Sequence, residues 1–414
     1  MKRRALAVAV RAARSGKRAI RGAMDSMTLP KALERTISEL AGVEVTPDAS
    51  RHVLLTSSGV HNIGDQAMLE SFIANVPGPI DVIKISSSTY VIPSDARERV
   101  REVTLDSLVY GRGRAQQIDL QAFRTLLAQA RSFSVIGADI MDGGYLLSAP
   151  ALSWALSEGA AQAGIDSRVV GFSWGTDVPR LLVDAARRAA ASGVRLFARD
   201  PDSAQRLQAA GIRAEEVVDT VFALEGEDPS TPEHEEISRI RAAGRRVLII
   251  NASGLIASRV DLNPDYLEIA RFARDRGMHI VLLPHVGKDS SAVSRLSELL
   301  NQEQIPHTRI DRLLRPKQVR AIARQAAAVF TGRMHLSILS LSAGVPAVVL
   351  STQGKVSGLM TRIGRPEWCI EPEPGMAKAA VAAFERVLNG EDPGLRQMIP
   401  ELTAAGRRSF DGLA

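Results

Sequence analysis

The sequence predicts an α/β protein of two domains, each a mostly parallel sheet covered by helices, facing one another across a cleft. Three observations predict it. At 414 residues the chain exceeds what a single hydrophobic core usually holds. From Arg51 onward, short apolar β-type runs alternate with helical stretches, the pattern of parallel sheets with helices on both faces. The alternation pauses in a stretch rich in Pro, Glu and Asp, 224–236, and then begins again.

The first domain, taken as 49–225, has β-type runs at 53–57, 80–85, 134–137, 168–172, 194–198 and 216–218. Helices are expected over 65–75, 120–130, 152–163, 180–191 and 203–210. The second domain, taken as 240–414, has strands expected at 246–252, 279–284, 327–331 and 347–351, with helices near 265–276, 291–300 and 316–326. Both are Rossmann-like, and in such sheets ligands lie outside the carboxyl ends of the strands. No short-period repeat is present, which excludes a solenoid.

Residues 1–48 form a separate basic segment. Lys2, Arg3, Arg4, Arg11, Arg14, Lys17, Arg18 and Arg21 outweigh the whole net charge of +6, so the rest of the chain is slightly acidic. That and an aromatic fraction of 4% argue against a nucleic-acid partner. The basic, Ala-rich start reads as a solvated helix or as a segment lying on an anionic membrane. Arg11 and Arg14 cut short the apolar run 5–10, so no signal peptide is expected; the longest uncharged run, 334–354, holds His, Pro, Gly and Ser and does not read as a span. With the single Cys369 excluding an internal disulfide, the expectation is a cytoplasmic protein, peripheral at most on the inner face of the membrane.

The chemistry-bearing residues stand where strands end. A strand over 327–331 breaks at Gly332 into a helix opening with Arg333 and His335, and Lys355 follows the next strand. Alone, Arg333 reads as a surface charge and His335 as a packing residue. Together with a helix N-terminus they suit a small polyanion, because guanidinium grips carboxylate or phosphate through two parallel hydrogen bonds. The loop 57–65 carries Gly59, Asn62, Gly64 and Asp65, read either as a substrate-binding loop whose glycines let backbone approach a ligand or as a helix start capped by Asn62 or Asp65. Asp139 and Asp142 leave a third strand end, suited either to loop capping or to acid–base work on a sugar hydroxyl. Trp174 is open to stacking on a sugar or to packing. Arg199, a second candidate anion ligand, precedes Asp200-Pro201-Asp202, in which Asp200 and Pro201 read as a helix start and Asp200 with Asp202 not as a metal-binding pair, and His285 is a candidate proton donor. No Cys or His cluster has metal spacing, and neither metal nor cofactor is expected.

These loops, in this order, resemble the polysaccharide pyruvyltransferase family: Gly59, Asn62, Gly64 and Asp65; then Arg199, Asp200, Ser203, Leu207 and Gly211 leading to Asp219; then Arg333, His335, Gly344, Val345, Pro346 and Lys355. The resemblance covers about 51–365 and departs at Gly137-Ala138-Asp139, where many relatives have a run of glycines. It implies a GT-B-like fold and transfer of pyruvate from phosphoenolpyruvate, as co-substrate, onto two hydroxyls of a sugar in a cell-surface polysaccharide or its lipid-linked precursor. On it Arg333 and Arg199 would hold the donor, His335 would bind the donor or deliver a proton, and Asp139 or Asp142 would meet the acceptor hydroxyl. A GT-B glycosyltransferase using a nucleotide sugar and a non-catalytic glycan-binding protein are the alternatives.

Overall fold

Central runs such as Val247–Asn251 and Ala347–Leu350 are buried along their whole length, which is what strands covered by helices on both faces require. The computed structural model describes residues 29–351, 354–390 and 394–413, without the side chains of 354 and 355. The first lobe holds β1 (Arg51–Leu55), β2 (Ile80–Lys84), β3 (Val100–Thr104), β4 (Ala130–Ala138), β5 (Asp166–Phe172), β6 (Arg195–Ala198) and β7 (Glu215–Glu216). They pair in the order β3-β2-β1-β4-β5-β6-β7. The second lobe holds β8 (Val247–Asn251), β9 (His279–Leu282), β10 (His307–Arg309), β11 (Ala328–Thr331), β12 (Ala347–Leu350) and β13 (Cys369–Ile370), ordered β10-β9-β8-β11-β12-β13.

Both sheets are parallel, and both reverse direction beside their first strand: β1 lies between β2 and β4, and β8 between β9 and β11. These two switch points leave crevices at the carboxyl ends of β1, β4, β8 and β11. The predicted class is therefore the observed one, two parallel-sheet α/β lobes. The strands that sequence reading did not mark, β3, β10 and β13, all lie at sheet edges.

Two connections depart from the expected organisation. The stretch 224–236 is not structureless throughout: Thr231 accepts a hydrogen bond from the His234 amide and, with Pro232 at the first position, starts the helix Pro232–Ala242. The helix Leu395–Arg407 and the turn after it return to the first lobe. There Phe410 meets Phe72 edge to face at 5.8 Å, and the fully buried Arg168 donates to the carbonyls of Ser409 and Asp411 while pairing with Asp166. The last described residues thus pack on the first lobe although they follow the second in sequence.

The basic segment 1–24 lies outside the described residues. The helix over 29–41 that follows it is docked, with Leu33 and Leu40 buried in the first lobe's core. Gly159 permits that contact, since a Cβ there would lie 2.6 Å from Leu40 Cβ. Among the described residues no helix is long and apolar enough to cross a membrane.

Candidate active site

The loops after β1 and β9 join the lobes directly. Asn62 and Val286 form an antiparallel bridge, the Ile63 amide donates to the His285 carbonyl at 3.2 Å, and the Gly287 amide to the His61 carbonyl at 2.9 Å. Asn62, and not Asp65, caps the helix Ile63–Asn75, its Oδ1 accepting from the Gly64 amide at 2.9 Å. Asp65 is thereby left in the first turn, facing the cleft.

Arg333 is the N-cap residue of the helix Met334–Ser342, positioned by its amide donating to Thr331 Oγ1 at 2.9 Å. Its guanidinium is held from one side by Asp289: Nη2 lies 2.5 Å from Oδ1, and Nε lies 3.2 Å from each carboxylate oxygen. The same carboxylate accepts from the amides of Gly254, His285 and Val286 and from the Asn251 side chain. Burial alone would raise the Asp289 pKa, but the Arg333 guanidinium and these donors outweigh it and hold the carboxyl below its ordinary value. Nη1 of Arg333 takes no acceptor among the described residues.

His335 stands in the first turn of the same helix with Nε2 3.3 Å from Asp219 Oδ2. Asp219 is fixed by Arg199 Nη1 at 2.8 Å and by the Val221 amide at 2.9 Å. Burial works to raise the Asp219 pKa, yet His335 and Arg199 together hold it well below the usual carboxylate range. The other imidazole nitrogen faces Gly64: a Cβ there would lie 2.2 Å from Nδ1, so glycine is what lets the two lobes close on this ring.

These groups bound one cavity of 110 Å³, walled by Asn62, Asp65, Asp139 and Tyr145 of the first lobe and by His285, Arg333 and His335 of the second. Burial and the neighbouring Asp139 raise the Asp65 pKa, against the lowering pull of His335 and the Ser57 hydroxyl. A perturbed carboxylate in a cleft beside an imidazole marks a functional site on physical grounds. A second cavity of 410 Å³ lies beside it, with Asp139 and Tyr145 in both walls and Asp142, Trp174, Thr176, Arg206 and Arg259 around the rest.

Several predicted site residues land elsewhere than expected. Arg199 is buried behind the cavity, 2% of its side chain exposed, and donates through Nη1 to Asp219 and through Nε to Ser173 Oγ at 2.9 Å. It orients Asp219 and lines neither cavity. Trp174 packs: its ring stands edge-on to Trp154 and Phe172 and is 3% exposed, which leaves no face for a sugar. Asp142 staples two turns, accepting from the amides of Gly144 at 3.0 Å and Gly175 at 3.1 Å. His285 is 2% exposed, and burial, His335 and Arg333 push its pKa down to about 3, so at neutral pH it is a neutral wall residue and not a cationic proton donor. Asp200 caps the helix Pro201–Ala209, as its sequence setting predicts. The Lys355 side chain lies outside the described residues. Ala138, before Asp139, holds a left-handed φ of 45°, a conformation that glycine adopts without strain.

Asp289 and Tyr145 were not legible as site residues. Nothing in Gly287-Lys288-Asp289 distinguishes an anchoring carboxylate from an ordinary helix-start acid, and Tyr145 sits in a Gly-rich loop with no periodicity. Among the described residues no cluster of three or more His, Cys, Asp or Glu could hold a metal ion.

The family model described as polysaccharide pyruvyl transferase matches residues 62–354, most of the chain and every residue that lines these two cavities. The chain belongs to that family. It is accordingly a transferase enzyme of polysaccharide biosynthesis, with a sugar or polysaccharide as acceptor. Among curated proteins none matches it. Solved structures share the GT-B fold at low identity. A putative UDP-N-acetylglucosamine 2-epimerase from Listeria monocytogenes has a TM-score of 0.60 at 10% identity, covering 87% of this chain and 94% of that one. The UDP-GlcNAc 2-epimerase from Neisseria meningitidis gives 0.54 at 11%, covering 88% and 98%. A glycosyltransferase from Rickettsia africae gives 0.51 at 11%, covering 87% and 93%. At such identities the likeness concerns the fold alone.

Proposed function

We propose that this pyruvyltransferase takes phosphoenolpyruvate as donor and forms a cyclic ketal on two hydroxyls of its acceptor sugar, releasing phosphate. The observation that supports it is the meeting of Arg333 and His335 with Asp65 and Asp139 around one small cavity at both switch points. The donor is a small polyanion, and this corner offers it a preoriented guanidinium and a helix N-terminus.

The protein's residues divide the work as follows. Arg333, anchored through Nε and Nη2, presents Nη1 to a donor oxygen. His335, braced by Asp219, gives a proton to the methylene carbon, leaving C2 of the donor electrophilic. One acceptor hydroxyl adds to C2 and passes its proton to Asp139. The C–O bond to phosphate breaks, the second hydroxyl closes the ring on C2, and its proton leaves with the phosphate. Arg199 acts through Asp219, and Asp142 through the loop it staples.

The test is parallel incubation with phosphoenolpyruvate and with nucleotide sugars, each with candidate acceptor glycans, reading phosphate release and the ketal methyl signal. Phosphate release that depends on both phosphoenolpyruvate and acceptor supports the assignment. Turnover only with a nucleotide sugar refutes it. His335→Ala then separates donor binding, which would raise the donor Michaelis constant, from proton delivery, which would chiefly lower turnover.

From the basic residues of 1–24 we also infer contact with an anionic membrane, where a lipid-linked acceptor would lie, each basic residue contributing on the order of 1 kcal/mol. Deleting 1–24 should abolish binding to anionic vesicles and spare turnover of a water-soluble acceptor. Undiminished vesicle binding by the truncated chain would exclude it.

A further inference from the structure

The sequence offers Trp174 as the aromatic for an acceptor sugar, and the structure withdraws it into the core. Another aromatic takes its place at the cleft. Tyr145 is 55% exposed and stands in the wall common to the 110 Å³ and 410 Å³ cavities. Its hydroxyl donates to Asp139 Oδ2 at 3.1 Å, and Leu146 beside it is 43% exposed. A lone exposed apolar residue is ordinary. An exposed ring tied to a carboxylate, at the junction of two cavities of a sugar-modifying enzyme, is a built feature.

A pyranose has an apolar face of C–H groups and a rim of hydroxyls. An aromatic ring suits the first and a carboxylate the second, and here the two are fixed relative to each other by one hydrogen bond. The charge of the larger cavity points the same way: Asp139, Asp142 and Asp200 line it against Arg206 and Arg259, with Arg206 donating to the Trp174 carbonyl at 2.9 Å. Three carboxylates against two guanidiniums give this wall no net positive charge with which to hold an anion, which favours a neutral polyhydroxylated ligand.

We propose that Tyr145 is the platform for the acceptor: a neutral pyranose lies with its C–H face on the ring, its hydroxyl rim turned to Asp139 and toward the donor cavity. The proposal rests on reading the larger cavity as the acceptor side. Its test does not need turnover. Methyl glycosides of glucose, galactose and mannose, at tens of millimolar, are added to the full chain, and saturation transfer from protein to sugar protons is read by NMR. Tyr145→Ala should weaken binding about three- to tenfold, the size of a lost aromatic-face contact. Tyr145→Phe, which keeps the ring and loses only the hydroxyl that ties it to Asp139, should recover most of the binding lost in Tyr145→Ala. Circular dichroism checks both variants, and the exposed position makes loss of fold unexpected.

If the unaltered chain gives no saturation transfer to any of the three glycosides, or if Tyr145→Ala binds as well as the unaltered chain, the platform is overturned. Phosphate release from phosphoenolpyruvate is measured in the same preparations. Its absence would count against the donor assignment and leave a Tyr145-dependent sugar site standing, so the two failures are distinguishable.

Discussion

His335 Nε2 lies 3.3 Å from Asp219 Oδ2, and Asp219 in turn is locked by the buried guanidinium of Arg199. An imidazole from the second lobe thus stands within ion-pair distance of a carboxylate from the first, so the arrangement exists only when the two lobes are in register. Asp219→Asn would keep the shape and remove the charge. Arg199 would then be a buried cation with no counter-charge, a change that costs on the order of 3 kcal/mol or more. Urea denaturation should show that loss, and turnover should fall with little change in the donor Michaelis constant. The double variant Arg199→Met with Asp219→Leu should regain much of the stability and none of the turnover. A double variant with normal turnover would remove Asp219 from the mechanism.

His285 predicts the pH dependence of stability. Its folded pKa of about 3 lies below the ordinary histidine value of 6.5, because the ring is buried beside His335 and Arg333. Above pH 6.5 both folded and unfolded forms are neutral at this position, and its contribution is fully present. As pH falls from 6.5 toward 3 the unfolded chain binds a proton that the folded chain refuses, so stability is lost by up to about 1.4 kcal/mol per pH unit. His285→Gln should flatten the stability curve over that window. Equal slopes for the two proteins between pH 6.5 and 4.5 would contradict it.

The fold was legible where burial wrote it into the sequence. Runs such as Val247–Asn251 and Ala347–Leu350, buried on both faces, have only one structural use, and their loops fell at strand ends as a consequence. The strands β3 and β10 were not legible because an edge strand keeps polar residues: Val100–Thr104 is mostly exposed, and His307–Arg309 is nowhere fully buried. At the site, Arg333 and His335 could be placed from the break at Gly332, but not their partners. Asp289 is 44 residues from Arg333 in sequence, and Asp219 is 116 from His335, so only folding shows that each pair meets. Trp174 and Arg199 misled for one reason. Residue type says what a side chain can do, and burial decides whether it faces the ligand or stands behind it.

Metal dependence gives a third prediction. Asp200 Oδ1 accepts from the Ser203 amide, and Oδ2 from the hydroxyls of Ser173 and Ser203, each at 2.8 Å. A carboxylate so fully engaged in holding a helix start has little left for a cation. Activity with phosphoenolpyruvate should therefore survive thorough chelation. Loss of activity in chelator, regained with magnesium or manganese, would show that an ion takes part.

Arg333 carries the last prediction, in which geometry and charge can be separated. Asp289 neutralises the guanidinium and also aims it, taking Nε and Nη2 and leaving Nη1 with no acceptor among the described residues, on a side chain that lines the cavity. Lysine at this position keeps a positive charge and loses the planar fork, so it cannot serve Asp289 and the donor at once. The lost charge-assisted contact amounts to about 2 to 3 kcal/mol in a partly desolvated site, or roughly thirty- to a hundredfold or somewhat more in donor affinity. Asp289→Asn makes the complementary change: the guanidinium stays and its anchor is weakened. If aim matters as well as charge, that variant too should raise the donor Michaelis constant, by less than Arg333→Lys does. Steady-state kinetics with phosphate release as the readout, on variants shown by circular dichroism to be folded, measures both. Unchanged donor kinetics in Arg333→Lys would place the donor elsewhere in the cleft and leave Asp289–Arg333 as a purely structural pair.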